Sequence, residues 1–291
     1  MHKTVELSNQ TSRLKIYLTF TKFRLSFIVI LSAVAGYFFA GGADAFDILF
    51  LTLGGALVTA ASNGANQIIE KDLDALMKRT AQRPLPTGDM HLKEAYWICV
   101  LSLILGLFLL FLLNFYSFAL GLFAFLSYVF VYTPLKQKTS WAVFVGAFPG
   151  AIPPMLGYIA HTNDFDFQAG ILFFVQFTWQ FPHFWAIAWV LDDDYKKAGF
   201  SLLPSKNGRS KTSAFQIMLY SLFLIPFSLM PWLLDWTGNL TLFVASGMGL
   251  IFFGMSYQLF LNCEIKTAKK LMFASFVYLP ILQFIYVLDK I

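Results

Sequence analysis

Charge is what this sequence has least of: 13% of its 291 residues are Asp, Glu, Lys or Arg, where an ordinary soluble domain carries roughly a quarter. It also lacks a polar linker long enough to separate two soluble domains, so the length is read as one unit. Cysteine occurs twice, at Cys99 and Cys263, with no second cysteine or histidine at metal-ligand spacing beside either. That excludes a disulfide framework and a thiolate metal centre, and leaves both as small packing residues. Met1 to Arg24 has no compact apolar core and no small-residue cleavage site, and is expected to stay on the mature chain. What fills the sequence instead is apolar: 58% hydrophobic and 18% aromatic residues. That is the composition of a membrane protein.

Nine stretches approach the roughly 20 apolar residues a spanning helix needs: 25–43, 47–67, 94–113, 115–133, 141–160, 168–190, 214–234, 240–260 and 271–288. The expected fold is an all-α integral membrane protein, a bundle of about nine transmembrane helices. Residues 1–24 form an N-terminal arm and 25–291 a single transmembrane domain. The joints alternate in character. Those after the first, third, fifth and seventh stretches are short or free of positive charge, and those after the even-numbered ones carry lysine and arginine. All but Lys290 of the 21 basic residues fall on one side, which places the N-terminus in the cytoplasm and the C-terminus outside. The net charge of +5 then reflects topology and contact with anionic membrane lipid, and no nucleic-acid partner is expected. Trp141, Trp189, Trp232 and Trp236 lie near expected span ends, where interfacial anchors belong.

Two joints on the basic side are longer than a turn requires. The first runs acids, then Lys78-Arg79, then Leu85-Pro86 and Gly88; the second runs acids, then Lys196-Lys197, then Leu203-Pro204 and Gly208. The parallel suggests an internal repeat with four helices between its copies. If the second helix continues into the first joint, Asn66, Glu70 and Asp74 share one face over roughly 12 Å, and Asp72 points elsewhere. Three hard oxygen donors in line suit magnesium, which takes one or two carboxylates and fills its remaining positions with water and substrate phosphate. The plain alternative is a solvated helix end whose acids pair with Lys71 and Lys78. Stacking acids at the mouth of a membrane bundle is costly without cationic company, which favours the metal. At such an end, neither Glu70 nor Asp74 is expected to lie in the apolar core. Lys78, Arg79 and Arg83 follow, before Pro84 and Pro86 forbid further regular helix; guanidinium forks here suit a diphosphate leaving group. Asp192, Asp193, Asp194, Tyr195, Lys196 and Lys197 repeat acids then bases, and Tyr132-Thr133-Pro134-Leu135-Lys136 closes the fourth stretch.

These residues, with Met77-Lys78-Arg79-Thr80, Pro153-Pro154 within Ala147 to Gly157, Pro182-His183-Phe184-Trp185-Ala186 and Ala198-Gly199, resemble the intramembrane UbiA-type prenyltransferases, and within them the protohaem IX farnesyltransferase branch. The resemblance runs from about residue 20 to the C-terminus. It implies transfer of farnesyl from farnesyl diphosphate to a vinyl group of haem B, with addition of water, to give haem O. Magnesium is the implied cofactor, and haem B a substrate. Asn66, Glu70 and Asp74 would hold the metal; Lys78, Arg79, Arg83, Tyr132 and Lys136 would clamp the diphosphate. His183, Trp185, Tyr195, Lys196 and Lys197 are further candidates for substrate contact, and Asp193 and Asp194 for substrate or a second magnesium. The middle acid is Glu70 where the wider pattern has aspartate. The second cluster lacks the Asp-x-x-x-Asp spacing, because Lys196 and Lys197 stand where the later acids would, and Leu191 and Asp192 replace basic residues of close relatives.

Two other readings remain open at this stage: the same family with a quinone precursor or chlorophyll as acceptor, and a cation-coupled transporter. The His-Phe-Trp stretch argues against the first. Against the second, transporters place ionisable groups near the midplane, and the nine stretches hold almost none. His183, roughly 13 Å up its helix from Asp192, is either a haem contact or a packing histidine satisfied by a hydrogen bond. With no organelle-type leader in the sequence, a bacterial plasma membrane is the expected location, with the site facing the cytoplasm. A haem A synthase or terminal oxidase assembly factor is the protein partner the resemblance implies.

Overall fold

The computed structural model describes residues 12–291; Lys3 and Glu6 of the N-terminal arm lie outside the described residues. Apart from one isolated bridge between Thr237 and Lys290, the regular structure there is helical. Long apolar segments do this because a backbone without water must satisfy its own hydrogen bonds. In chain order the helices are α1 (Arg13–Phe20), α2 (Phe23–Phe39), α3 (Ala45–Ile69), α4 (Lys71–Leu76), α5 (Pro84–Thr87), α6 (Leu92–Leu113) and α7 (Phe115–Leu126). A π-helical turn (Ser127–Tyr132) runs from α7 into α8 (Thr133–Leu135). Then come α9 (Ala142–Thr162), α10 (Phe167–Lys197), α11 (Lys211–Ser228), α12 (Met230–Leu233), α13 (Asn239–Asn262) and α14 (Ile265–Leu288).

The expected spans fall on α2, α3, α6, α7 with α8, α9, α10, α11 with α12, α13 and α14. Seven are long and apolar enough to cross a membrane individually, and α1 with α2, bent by 52°, makes an eighth. The remaining long helix, α10, has 31 residues and carries Gln176, Thr178, Gln180 and His183, all buried. Its polarity faces protein. On α6, by contrast, Trp97, Leu101, Ile104 and Phe108 form an exposed stripe, a surface that water would not tolerate but lipid does.

Helix α9 is the hub, with two thirds of its span buried. It carries Pro149, Pro153 and Pro154, and each proline removes a helical hydrogen bond. Pro154 frees the carbonyl of Gly150, and Gln176 Nε2 of α10 donates to that oxygen at 2.6 Å. Gln176 Oε1 in turn accepts from Ser32 of α2 at 2.7 Å and from Gln283 of α14 at 2.8 Å, so one glutamine ties four helices together. Helices α2 and α9 touch backbone to backbone: a Cβ on Gly157 would lie 1.7 Å from the Ala33 carbonyl oxygen.

Two expectations are corrected. Trp189 is fully buried in the core where α10 passes under the second long joint, and so is no interfacial anchor. The acid ladder, expected to lie outside the packed interior, is buried: α3 stops at Ile69, Glu70 turns with φ −95° and ψ 12°, and α4 resumes. Asn66, Glu70 and Asp74 are 2%, 3% and 0% exposed. Both carboxylates therefore lie within the packed protein.

Candidate active site

The break at Glu70 leaves the ladder intact because its hydrogen bonds persist. Glu70 N–H donates to the Asn66 carbonyl at 2.9 Å, and Asp74 N–H to the Glu70 carbonyl at 2.7 Å. The three side chains line one cavity of about 340 Å³ at the basic end of the bundle. Asp72, one helical face away, is exposed.

Each ladder residue has its own orienting partner. Thr133 donates its hydroxyl to the Tyr128 carbonyl at 2.9 Å and accepts from Asn66 Nδ2 at 3.2 Å. That bond fixes the Asn66 amide with Oδ1 toward Lys22 Nζ, 3.5 Å away. Arg83 Nη1 meets Asp74 Oδ2 at 2.6 Å, and Lys136 Nζ lies 2.5 Å from Glu70 Oε1. The ammonium of Lys136 also sits over the Tyr132 and Phe200 rings, 5.0 and 5.4 Å from their centroids, an aromatic enclosure that favours a cation. Burial nonetheless pulls the Lys136 ammonium below its ordinary value, with Glu70 opposing the shift. Lys22, half-buried in the bend between α1 and α2, lines the same cavity. Four basic side chains, Lys22, Arg79, Arg83 and Lys136, thus share the cavity with two carboxylates. Such a cavity attracts an anion.

The local backbone explains why these groups converge. The π turn Ser127–Tyr132, a device common at functional sites, carries Tyr128 and Tyr132 to the cavity with their rings 5.2 Å apart. A Cβ on Gly146 would lie 2.6 Å from the Tyr132 ring, so only glycine leaves room for it. Gly199, at φ +73°, ends α10 in the left-handed conformation that suits glycine and turns Phe200 back over Lys136.

Of the residues singled out from the sequence, Asn66, Glu70, Asp74, Arg79, Arg83, Tyr132, Lys136 and Tyr195 line the cavity. The others do not. Lys78, Lys196 and Lys197 are exposed. Asp193 pairs with Arg209 at 2.8 Å on the surface, and Asp194 accepts from the backbone of Lys78 and Arg79. Neither lines the cavity that holds the ladder. Trp185 packs against Phe181 and Tyr220. His183 stacks on Trp179 and bonds through Nδ1 to Ser275 Oγ at 2.7 Å, the arrangement of a packing histidine satisfied by a hydrogen bond. Sequence reasoning missed Lys22, counted there for topology alone, as well as Tyr128 and Phe200. The Thr21-Lys22 dipeptide just before the first apolar run was the one available signal.

The ladder fits a divalent cation. Asp74 Oδ1 is buried with no hydrogen-bond partner among the described residues, an expense that a hard cation removes. Asn66 Oδ1 and the Glu70 carboxylate complete a set of oxygen donors.

The sequence profile of the UbiA prenyltransferase family matches residues 29–279. The chain belongs to this family. Among its UbiA relatives are the protoheme IX farnesyltransferases of Cytophaga hutchinsonii, 47% identical over 96% of this chain and 99% of that protein, and of Christiangramia forsetii, 48% identical over 93% and 91%. The fold is likewise that of solved UbiA proteins. A digeranylgeranylglyceryl phosphate synthase superposes with a TM-score of 0.79 at 21% identity, covering 95% of this chain and 98% of that one. A UbiA homologue from Archaeoglobus fulgidus bound to GPP and Mg2+ gives 0.68 at 16% identity, covering 94% and 99%. The chain is thus a multi-pass membrane protein with the UbiA prenyltransferase fold.

Proposed function

We propose that this enzyme transfers the farnesyl group of farnesyl diphosphate to a vinyl group of haem B, with addition of water, giving haem O and diphosphate. The observation that carries the acceptor is the near-half identity, over almost the whole of both chains, to proteins named protoheme IX farnesyltransferase. The observation that carries the donor is the cavity's excess of basic side chains beside an acid ladder.

Asn66, Glu70 and Asp74 are the residues that would hold magnesium, which supplies charge neutralisation for the departing diphosphate. Lys22, Arg79, Arg83 and Lys136 bind the diphosphate oxygens and stabilise the charge they gain as the C1–oxygen bond breaks. Tyr128, Tyr132, Phe184 and Phe200 wall the cavity with aromatic faces that tolerate an allylic cation and exclude water until the vinyl π electrons have formed the new carbon–carbon bond. Water then captures the cation on the former vinyl group and loses a proton. A cavity of about 340 Å³ is at the small end for a ligand site; it holds the diphosphate and reacting carbon, with the rest of the farnesyl tail along apolar helix faces.

The basic end faces the cytoplasm of a bacterial plasma membrane, by the distribution of lysine and arginine, and haem A synthase is the class of protein that would take the product. Purified enzyme in lipid nanodiscs, given farnesyl diphosphate, magnesium and either haem B or a hydroxybenzoate, is expected to yield a haem heavier by one farnesyl group and one hydroxyl group in mass spectrometry. Prenylation of the aromatic acid with haem untouched would move the chain to a quinone branch of its family. Cation flux in liposomes without prenyl transfer would overturn the enzyme reading itself.

A further inference from the structure

Asp194 stands in the second acidic cluster, yet both oxygens of its carboxylate serve the first joint. Oδ1 accepts the N–H of Lys78 at 2.8 Å, and Oδ2 accepts the N–H of Arg79 at 3.1 Å. Lys197 Nζ, one turn on, lies 3.1 Å from Oδ1. The neighbouring Tyr195 lines the cavity, with the Arg79 guanidinium over its ring at 5.9 Å. The end of α10 therefore grips Arg79 twice, by backbone and by side chain. The ends of this stretch are held by the buried Met77 and Thr80 and by the Arg83–Asp74 ion pair, but Lys78 and Arg79 between them are exposed. Residues 77–83 are turn and bend between α4 and α5, and their other hydrogen bonds are local or go to Asp74. Bonds to an ionised acceptor are the stronger kind, and a loop that is loose before binding must be ordered at binding.

We infer that Asp194 is a positioning residue for the anion clamp: it fixes the Met77–Arg83 connection against α10 so that Arg79 is presented to the cavity, and it does not ligate a second metal. This rests on the reading of the cavity as a prenyl diphosphate site. The carboxylate already accepts from two successive peptide N–H groups and from the Lys197 ammonium, which leaves it little to offer an ion. In the first cluster, by comparison, Asp74 keeps an oxygen free. The two acidic joints then have different work, one holding the ion and the other holding the loop that completes the site.

The test uses full-length enzyme in nanodiscs, as wild type, Asp194→Asn and Asp194→Ala. Three quantities are read: amide hydrogen exchange over residues 77–83, affinity for the uncleaved analogue farnesyl thiolodiphosphate, and the magnesium concentration giving half-maximal activity. Asp194→Ala should speed exchange over 77–83 and weaken the analogue about tenfold, the cost of one more residue to order at binding, while leaving the magnesium midpoint in place. Asp194→Asn keeps one acceptor oxygen and should fall between. In an Arg79→Ala background, Asp194→Ala should add little to the loss of affinity, since both act through one group. A raised magnesium midpoint in both variants with unchanged exchange would make Asp194 a metal ligand and overturn the inference, as would unchanged exchange and affinity in Asp194→Ala. Should the alanine variant fail to fold, faster exchange in Asp194→Asn is the expected result and wild-type exchange the refuting one. If the wild type itself does not bind the analogue, the prenyl diphosphate reading fails, and the exchange measurement still decides what Asp194 holds.

Discussion

Asp74 and Arg83 form an ion pair at 2.6 Å with side chains 0% and 13% exposed. Removing one partner of such a pair leaves the other buried and uncompensated, typically at about 3–5 kcal/mol. Asp74→Ala is accordingly expected to lower the thermal unfolding midpoint in detergent well below that of Asp74→Asn, whose amide oxygen still accepts from Arg83. Equal midpoints would mean the pair contributes nothing to the fold. Lys22 is the opposite case. Among the described residues its side chain makes one hydrogen bond, the long contact to Asn66, so Lys22→Met should leave the melting behaviour alone. It should raise KM for farnesyl diphosphate by roughly 10- to 100-fold, the value of one charged hydrogen bond. A change in stability without a change in KM would place Lys22 among the structural residues.

At the level of the helix, hydropathy made the spans readable, and the 3.6-residue period put Asn66, Glu70 and Asp74 on one face with Asp72 off it. What the period could not give was the depth of that face, because Glu70 and Asp74 look like a helix end until Lys136 comes over them from another joint and Arg83 turns back from their own. Lys22 was invisible for the same reason, its neighbour Asn66 lying 44 positions away. Nor did Asp194 betray that its partners are peptide N–H groups more than a hundred residues upstream. The π turn left no pattern beyond the Thr133-Pro134 pair. Polarity inside α10 was legible as residues but not as a purpose, which is to serve the carbonyl that Pro154 strips of its donor. Gln176→Leu removes that service and the links to Ser32 and Gln283. An unpaired buried polar group costs about 1–3 kcal/mol, so the variant should insert normally yet lose activity on heating earlier than wild type. Gly157→Ala, which drives a methyl into the Ala33 carbonyl, should be at least as damaging; indifference to both would contradict the close α2–α9 contact.

Across the whole molecule, the candidate site lies at one end of the bundle. A reporter active only in the cytoplasm should give signal when fused after Lys138 and none when fused near Asn163; the reverse would move the site to the other side of the membrane. On the proposed function, the diphosphate bond is broken at the buried acid ladder and not elsewhere on the basic face. Single-turnover release of diphosphate from farnesyl diphosphate, with haem B and magnesium present, measures that step directly in wild type, Asp74→Asn and Asp72→Asn. Electrostatic stabilisation of a leaving group by one such element is worth about 3–4 kcal/mol, so Asp74→Asn should slow release on the order of a hundredfold to a thousandfold. Asp72→Asn should release diphosphate like the wild type, and a strong chelator should stop release in both. Equal losses at positions 72 and 74, or undiminished release in the chelator, would contradict the account.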